Sequence, residues 1–346
     1  MGGDGGVVAG PGGDRDAPEA LRRARSRVYR DGVCVLEDFS VDDVAAHLAD
    51  PAAVLWLDLY RPSAEDVDML GADIGLHELA IGECLDKGQR PSLNRYPEHL
   101  SLDAYGAALD PDTSSLTLFE IAVFCTDRVL ITIRKDNGLD LDPVVAGWDA
   151  APALTRHGVA YLLYGLLDHI VNGQFQAVRQ LDEAVDDLEE QLFGARGSAV
   201  RPAQQRLFQL RRDLIALRRV VKPMEEVVES LQNQDVLAID DAVSPYYQKL
   251  YDHAMRAADW TDALHDLAAT TVQTNLITQA NHLNMIMKKV TSWAAIIAVP
   301  TAITGFYGQN VPFPGYGSAW GVLVSTALIA ILSVLLYTVF RRNDWL

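Results

Sequence analysis

The sequence predicts an α/β cytoplasmic domain followed by a long stalk helix and two C-terminal transmembrane helices. Three observations carry that fold class. Short β-branched and aromatic runs alternate with helix-like pieces over roughly the first 140 residues. The periodicity then changes to 3.6 near Ala153 and stays there. Finally, from Val290 to Phe340 there is no Asp, Glu, Lys, Arg or His. That interval holds two apolar runs, Val290–Phe306 and Trp320–Phe340, each about the 20 residues a helix needs to cross roughly 30 Å of hydrocarbon.

Taken in order, residues 1–20 (MGGDGGVVAGPGGDRDAPEA) lack an apolar signal core, and their Gly-rich composition predicts disorder. The Arg-rich stretch that follows (Arg22, Arg23, Arg25, Arg27, Arg30) reads as a solvated helix start or as a contact with anionic lipid. Residues 21–150 form the α/β domain. Strands are expected over Val33–Glu37, Ala53–Tyr60, His99–Leu109, Ser115–Thr126 and Arg128–Lys135. Helices are expected over Ser40–Asp50, Ser63–Leu70 and Gly75–Asp86, the first two opened by an N-cap serine with acids behind it. This domain has no GxGxxG, no GxxxxGK[ST] and no GxSxG, so no motif supports nucleotide binding or an enzymatic reading. Cys34, Cys84 and Cys125 show neither metal-ligand nor disulfide spacing and read as buried thiols of a reducing cytosol.

Residues 151–289 read as a helical stalk. Tyr161–Phe193 is amphipathic, with Asp182, Glu183, Asp186, Asp187, Glu189 and Glu190 in its later turns, and a Gly194–Ser198 turn ends it. The next helix, about Pro202–Val221, is rich in arginine and should lie antiparallel beside it, as a salt-bridged hairpin or, alternatively, around a metal site. A short acidic helix follows Lys222-Pro223. From Tyr246 to Gly308 no turn cluster appears and only Pro300 interrupts, which predicts one helix of about 60 residues, some 90 Å long. A helix of that length needs lateral partners.

The membrane part divides into a first transmembrane helix (290–310), an outer loop (311–319), a second transmembrane helix (320–341) and a cytoplasmic tail (342–346). Lys288 and Lys289 precede the pair, Arg341 and Arg342 follow it, and the loop carries no charge. Positive flanks stay inside, so both termini are expected in the cytoplasm and the chain in the cell's inner (plasma) membrane. Overall there are 47 acidic and 29 basic residues, net −18, nearly all before residue 290. That balance argues against a nucleic-acid partner and suits cations.

Stepping by three and four residues from Asn284 gives Met287, Thr291, Ala294, Ala298, Thr301, Gly305 and Gly308, a seam of small or mildly polar side chains. Such a seam packs two helices closely, or it lines a narrow passage between several copies. Tyr307-Gly308-Gln309-Asn310 stands where the first apolar run stops and favours the passage. Mg²⁺ holds its octahedral water shell tightly. Neutral amide oxygens can accept hydrogen bonds from that shell, whereas carboxylates would hold the ion in place. Gly308 lets a backbone carbonyl approach the same axis.

These residues resemble the CorA family of magnesium channels, whose signature is Tyr-Gly-Met-Asn at the end of the first of two C-terminal transmembrane helices. The likeness extends to His77-Glu78-Leu79, Gln89-Arg90-Pro91, Tyr251-Asp252-His253, Asn284, the Pro300 to Asn310 run and the closing Trp345-Leu346. The resemblance implies a funnel-shaped homopentamer in the membrane lipid, with five copies of the long helix around a pore and the second transmembrane helix outside. It implies Gly308 and Asn310 as the selectivity filter, Thr301 and Asn284 lining the pore below, and Met287 and Val290 at a hydrophobic constriction. No cofactor is implied; Mg²⁺ or another divalent cation is the transported ion and a candidate regulatory ligand, with Glu83 matching one sensing carboxylate.

Four departures stand out. Gln309 replaces the motif's Met, and Lys249 stands where the partner of Glu83 is acidic. Ala298 occupies a position often filled by a bulky gate residue. The outer loop lacks the family's acidic residue. The implied function is a channel for Mg²⁺, with Co²⁺ or Ni²⁺ also accepted. The alternatives are a zinc-type relative, which would be proton-coupled without any titratable group in its hairpin, and a two-helix membrane sensor or scaffold.

Overall fold

Strands β1 (Arg25–Arg30), β2 (Val33–Glu37), β3 (Val54–Tyr60), β4 (Ser92–Arg95), β5 (Leu100–Leu109), β6 (Leu116–Cys125) and β7 (Val129–Arg134) form one sheet in the order β2-β1-β3-β7-β6-β5-β4. The β3–β7 pair is parallel and the other five are antiparallel. The computed structural model describes residues 24–86, 88–110, 113, 115–194, 200–232, 239–309, 312 and 315–346. The disorder expected for residues 1–20 and the turn expected after Gly194 therefore lie outside the described residues.

All five expected strands form. Two others do, and one of them overturns an expectation. Arg25, Arg27 and Arg30 belong neither to a helix start nor to a lipid contact but to β1, while Arg22 and Arg23 lie outside the described residues. At strand period, Ser26 and Val28 enter the core. The arginines find acids instead: Arg25 pairs with Asp142 at 2.8 Å, Arg27 with Asp149 at 2.7 Å and with Glu37, and Arg30 with Asp50 at 2.9 Å. The charge run lies on an interior strand, and two of its acidic partners, Asp142 and Asp149, are more than a hundred residues away.

Period two also gives the sheet two apolar faces. Leu55, Leu57, Leu59, Ile131 and Ile133 point to one side, against α1 (Val44–Leu48), α2 (Ala64–Ile74) and α3 (Glu78–Leu85). Trp56, Leu102, Ile121, Val123 and Leu130 point to the other. There they meet α4 (Asp142–Ala150), the single turn α5 (Pro152–Thr155), α6 (Val159–Gly194), α7 (Val200–Gln232) and the first turns of α8 (Ser244–Tyr307). Trp148 of α4 is fully buried edge-on against Tyr29 and Trp56. Ser63 caps α2 in a reciprocal capping box with Asp66, and Gly75 closes it at φ 83°. Cys84 and Cys125 are buried thiols as expected, but Cys34 on the edge strand β2 is only half-buried.

The helical part departs from expectation in two ways. There is no separate acidic helix after Lys222, because α7 continues through Pro223 to Gln232. Proline removes one backbone donor and costs about 3 kcal/mol in a helix interior. Met224, Val227, Val228 and Leu231 all enter the sheet's core just beyond it, and that burial outweighs the lost bond. The second concerns the α6–α7 hairpin, which presents buried apolar residues (Val178, Leu181, Val185; Leu207, Leu210, Leu214). Arg218 reaches past it to Asp262 of α8 at 2.6 Å. Residues up to Ala269 belong to one compact unit, so α6, α7 and the start of α8 are part of the α/β core and not a separate stalk; Thr270–Leu346 is the second unit, with α9 (Ala319–Arg342) in it.

Buried charges sit at the β5–β6–β7 end of the sheet. Lys135 pairs with Glu120 at 2.6 Å and also bonds the Asp86 carbonyl. Asp103 is 5% exposed, one of its oxygens accepts from Ser92 at 3.5 Å, and the other has no partner. Burial pushes its pKa up to about 6, against the pull of Lys135. The folded chain thus holds this proton more tightly than the unfolded one, so folding stability is gained as pH falls through 6 toward 4 and lost again as it rises. Asp103→Asn is expected to raise the stability of the sheet unit by about 1–3 kcal/mol at pH 8, with the gain vanishing toward pH 4. Thermal unfolding of the two proteins across that range checks it; an Asn variant no more stable at pH 8 contradicts the burial argument.

Candidate functional site

The membrane-crossing part of α8 must satisfy its own polar groups, because hydrocarbon offers none. It does so within the helix. The Ser292 hydroxyl donates to the Lys288 carbonyl at 2.8 Å, Thr301 to Ile297 at 3.0 Å and Thr304 to Pro300 at 2.8 Å. Pro300 removes the donor that the Ile296 carbonyl would otherwise receive, yet the helix continues unbroken to Tyr307. Among the described residues, two helices are long and apolar enough to cross a membrane, α8 and α9.

The two sides of α8 differ. Ser292 is completely buried, and Ala295, Ile296, Val299, Ile303 and Tyr307 are half-buried, a stripe at helical spacing. At 3.6 residues per turn the seam falls on roughly the opposite side. There, Asn284, Met287, Val290, Thr291, Ala294, Ala298, Thr301, Gly305 and Gly308 are all exposed. Between the stripes stand Trp293 and Ile297, large, apolar and more than half exposed. The helix therefore has a covered back, apolar flanks and an open front of small or weakly polar groups. Ser292 was not singled out from sequence; its signal was its place four residues after Lys288, off the seam.

The helix ends in a tight turn. Gly308 donates its N–H to the Thr304 carbonyl at 2.8 Å, and Gln309 donates to Phe306 at 3.2 Å. A Cβ at position 308 would lie 3.0 Å from the Thr304 oxygen, whereas one at Gly305 would meet nothing. The turn thus leaves little room for a side chain at Gly308, and Gly305 is a free gap on the seam. Asn310 and Val311 lie outside the described residues, as do Phe313 and Pro314 of the loop.

The regulatory pair expected from sequence is not joined within one chain. Glu83 is exposed on α3, where Asn94 donates to it at 3.4 Å. Lys249 is exposed on α8 among the turns that pack on the sheet. No ion pair links the two among the described residues. Nor do any three His, Cys, Asp or Glu side chains among those residues converge to hold a metal ion, so the metal site considered beside the α6–α7 hairpin does not form there.

A family profile described as CorA-like Mg2+ transporter protein matches residues 51–342. The chain is similar to the cobalt/magnesium transport protein CorA of Thermotoga maritima, 27% identical over 317 residues that cover 89% of either chain. It is also similar to the zinc transport protein ZntB of Yersinia pseudotuberculosis, 23% identical over 321 residues, 91% of this chain and 94% of the other. Its fold matches the complete structure of the CorA magnesium transporter from Methanocaldococcus jannaschii with a TM-score of 0.72 at 19% identity, covering 93% of this chain and 98% of that one.

The contrast between the two sides of α8 is open to chemical labelling. In a background with the native cysteines replaced by serine, Ala298→Cys and Thr301→Cys in lipid are expected to react several-fold faster with a small charged thiol reagent than Val299→Cys and Ile303→Cys. Equal rates on the two sides would show that the front meets no water.

Proposed function

Because the chain belongs to the CorA-like Mg2+ transporter family, we propose that it is a divalent-cation channel that admits Mg²⁺, and also Co²⁺ and Ni²⁺, down the membrane potential. The observation that carries this reading is the open front of α8, uncharged and small, leading to Tyr307-Gly308-Gln309-Asn310. The working unit is a homopentamer in the cell membrane with both termini in the cytoplasm. Five copies of the front then surround one axis, and α9 lies outside.

The chemistry follows from the side chains. Five Asn310 amide oxygens with the Gly308 carbonyls form a neutral ring at the outer mouth. They accept hydrogen bonds from the ion's own water shell, which a small dication gives up reluctantly. Thr301 and Asn284 repeat weak polar contact further in, with their oxygens able to accept. Met287 and Val290 supply a dry constriction, which gates by excluding water. A dication moving inward gains about 4.6 kcal/mol per 100 mV of membrane potential, so no nucleotide is needed. Transport, not catalysis, is the role of every residue named here. Gln309 in place of Met is compatible with a zinc-transporting relative, and the experiment below separates the two ions.

In proteoliposomes under an inside-negative potential, Mg²⁺ uptake is expected without a pH gradient; uptake of Zn²⁺ alone, accelerated by inward protons, would move the assignment to a zinc transporter. Asn310→Ala is expected to cut uptake about tenfold or more, as loss of a selectivity group does, while the oligomer still forms. Unchanged uptake would remove Asn310 from the filter. Lys249 places a cation where a sensing carboxylate is expected, which weakens closure by internal metal. Lys249→Glu is therefore expected to make uptake more sensitive to Mg²⁺ on the cytoplasmic side; equal sensitivity in both proteins would exclude a sensing role for that position.

A further inference from the structure

The last residues of the chain are not a loose tail. Asp344 takes a left-handed conformation at φ 54°, which asparagine and aspartate tolerate better than most residues. The Trp345 N–H then donates to the Phe340 carbonyl at 3.0 Å, and the Asp344 N–H donates to Arg341 at 3.4 Å. This is the six-to-one and five-to-two pattern that ends helices with a chain reversal. The apolar contact that accompanies it is present too: the rings of Phe340 and Trp345 are stacked 5.6 Å apart at 9°.

The reversal places the Trp345 ring under the Lys288 ammonium, 5.9 Å from its centroid. No ion pair to Lys288 forms among the described residues, Asp344 included, while Lys289, Arg341 and Arg342 add like charge to the same boundary. An aromatic face, negative at its centre, is the attraction left to it. Lys288 lies on the covered side of α8, one turn before the fully buried Ser292, whose hydroxyl bonds the Lys288 carbonyl. It is adjacent to Met287 and two residues from Val290.

We propose that Trp345 is a positioning residue for the pore: held by the reversal at Asp344, its ring grips the back of α8 at Lys288 and keeps Met287 and Val290 in the narrow arrangement. The proposal rests on the reading that the front of α8 lines the ion path. Opening that turns or slides α8 against the end of α9 at that level separates Lys288 from the ring, so the contact opposes it. Removing the ring face releases the constriction, and an aromatic replacement restores it.

The test uses the full chain in proteoliposomes with an internal Mg²⁺ indicator. Trp345→Leu keeps an apolar contact for Phe340 but no ring face. It and Lys288→Met are each expected to raise Mg²⁺ entry about threefold, the factor that an exposed cation–π contact is worth. The double variant is expected to rise no further than either single one, and Trp345→Phe to stay near the parent protein. Unchanged entry in both single variants, a fall in entry, or effects that multiply in the double variant would overturn the proposal. Parent protein that admits no divalent cation would instead overturn the channel reading on which it rests. Hydrogen exchange of the same proteins reads the contact without transport: faster exchange at residues 286–290 in Trp345→Leu supports the grip, and unchanged exchange refutes it.

Discussion

The absence of any Asp, Glu, Lys, Arg or His between Val290 and Phe340 is the constraint on which the membrane part depends. In hydrocarbon each polar group must find a partner inside its own helix or inside the protein. Ser292, Thr301 and Thr304 meet that demand by bonding carbonyls three or four residues back. What remains decides the architecture. A helix surrounded by lipid would be apolar all round, yet the front of α8 carries Asn284, Thr291, Thr301 and two glycines. Lipid gives those groups nothing, whereas in the proposed channel water along a shared axis would hydrate them and large residues on the flanks would suit the neighbouring copies.

Much of this was legible in the sequence because it follows from short-range patterns. The short β-branched and aromatic runs at Val54–Tyr60 and Val129–Arg134, the Ser63 cap and the uncharged interval are each local, and each appears where expected. Two of the three failures share a cause. Arg25–Arg30 reads as a charged surface run until Asp142 and Asp149, more than a hundred residues away, are brought beside it. Pro223 reads as a helix stop until Met224 and Val228 are seen to enter a core built from the sheet. Trp345 reads as part of a tail until the left-handed Asp344 turns it back on Phe340. Long-range partners overrode local propensity in the first two cases, and the third is a local reversal at the helix end. The seam itself was visible as a spacing, but its opposition to a covered stripe was not, because burial depends on what packs there in three dimensions and not on the local sequence.

The departures from the family pattern fall on electrostatics more than on shape. Nearly all of the net −18 precedes residue 290, whereas the outer loop has no charge at all, so little field gathers cations at the outer mouth. In the proposed channel Ala298 would leave the passage wider where a bulky side chain would narrow it. Lys249 opposite a carboxylate of a neighbouring copy would form an ion pair in place of a metal bridge, worth less than about 1 kcal/mol if exposed. In the channel proposed here, these changes would shift control away from metal sensing and toward a constriction at Met287 and Val290. That is also the level at which the chain's last ring meets Lys288.

The central claim is that the uncharged front of α8 encloses a common axis. An electron-microscopy reconstruction of the assembly in lipid nanodiscs tests it most directly. The account predicts five-fold symmetry with Thr301, Gly308 and Asn310 of every copy directed at an axial opening. Asn310 turned toward lipid, or fronts packed against one another with no opening in any state, would contradict it.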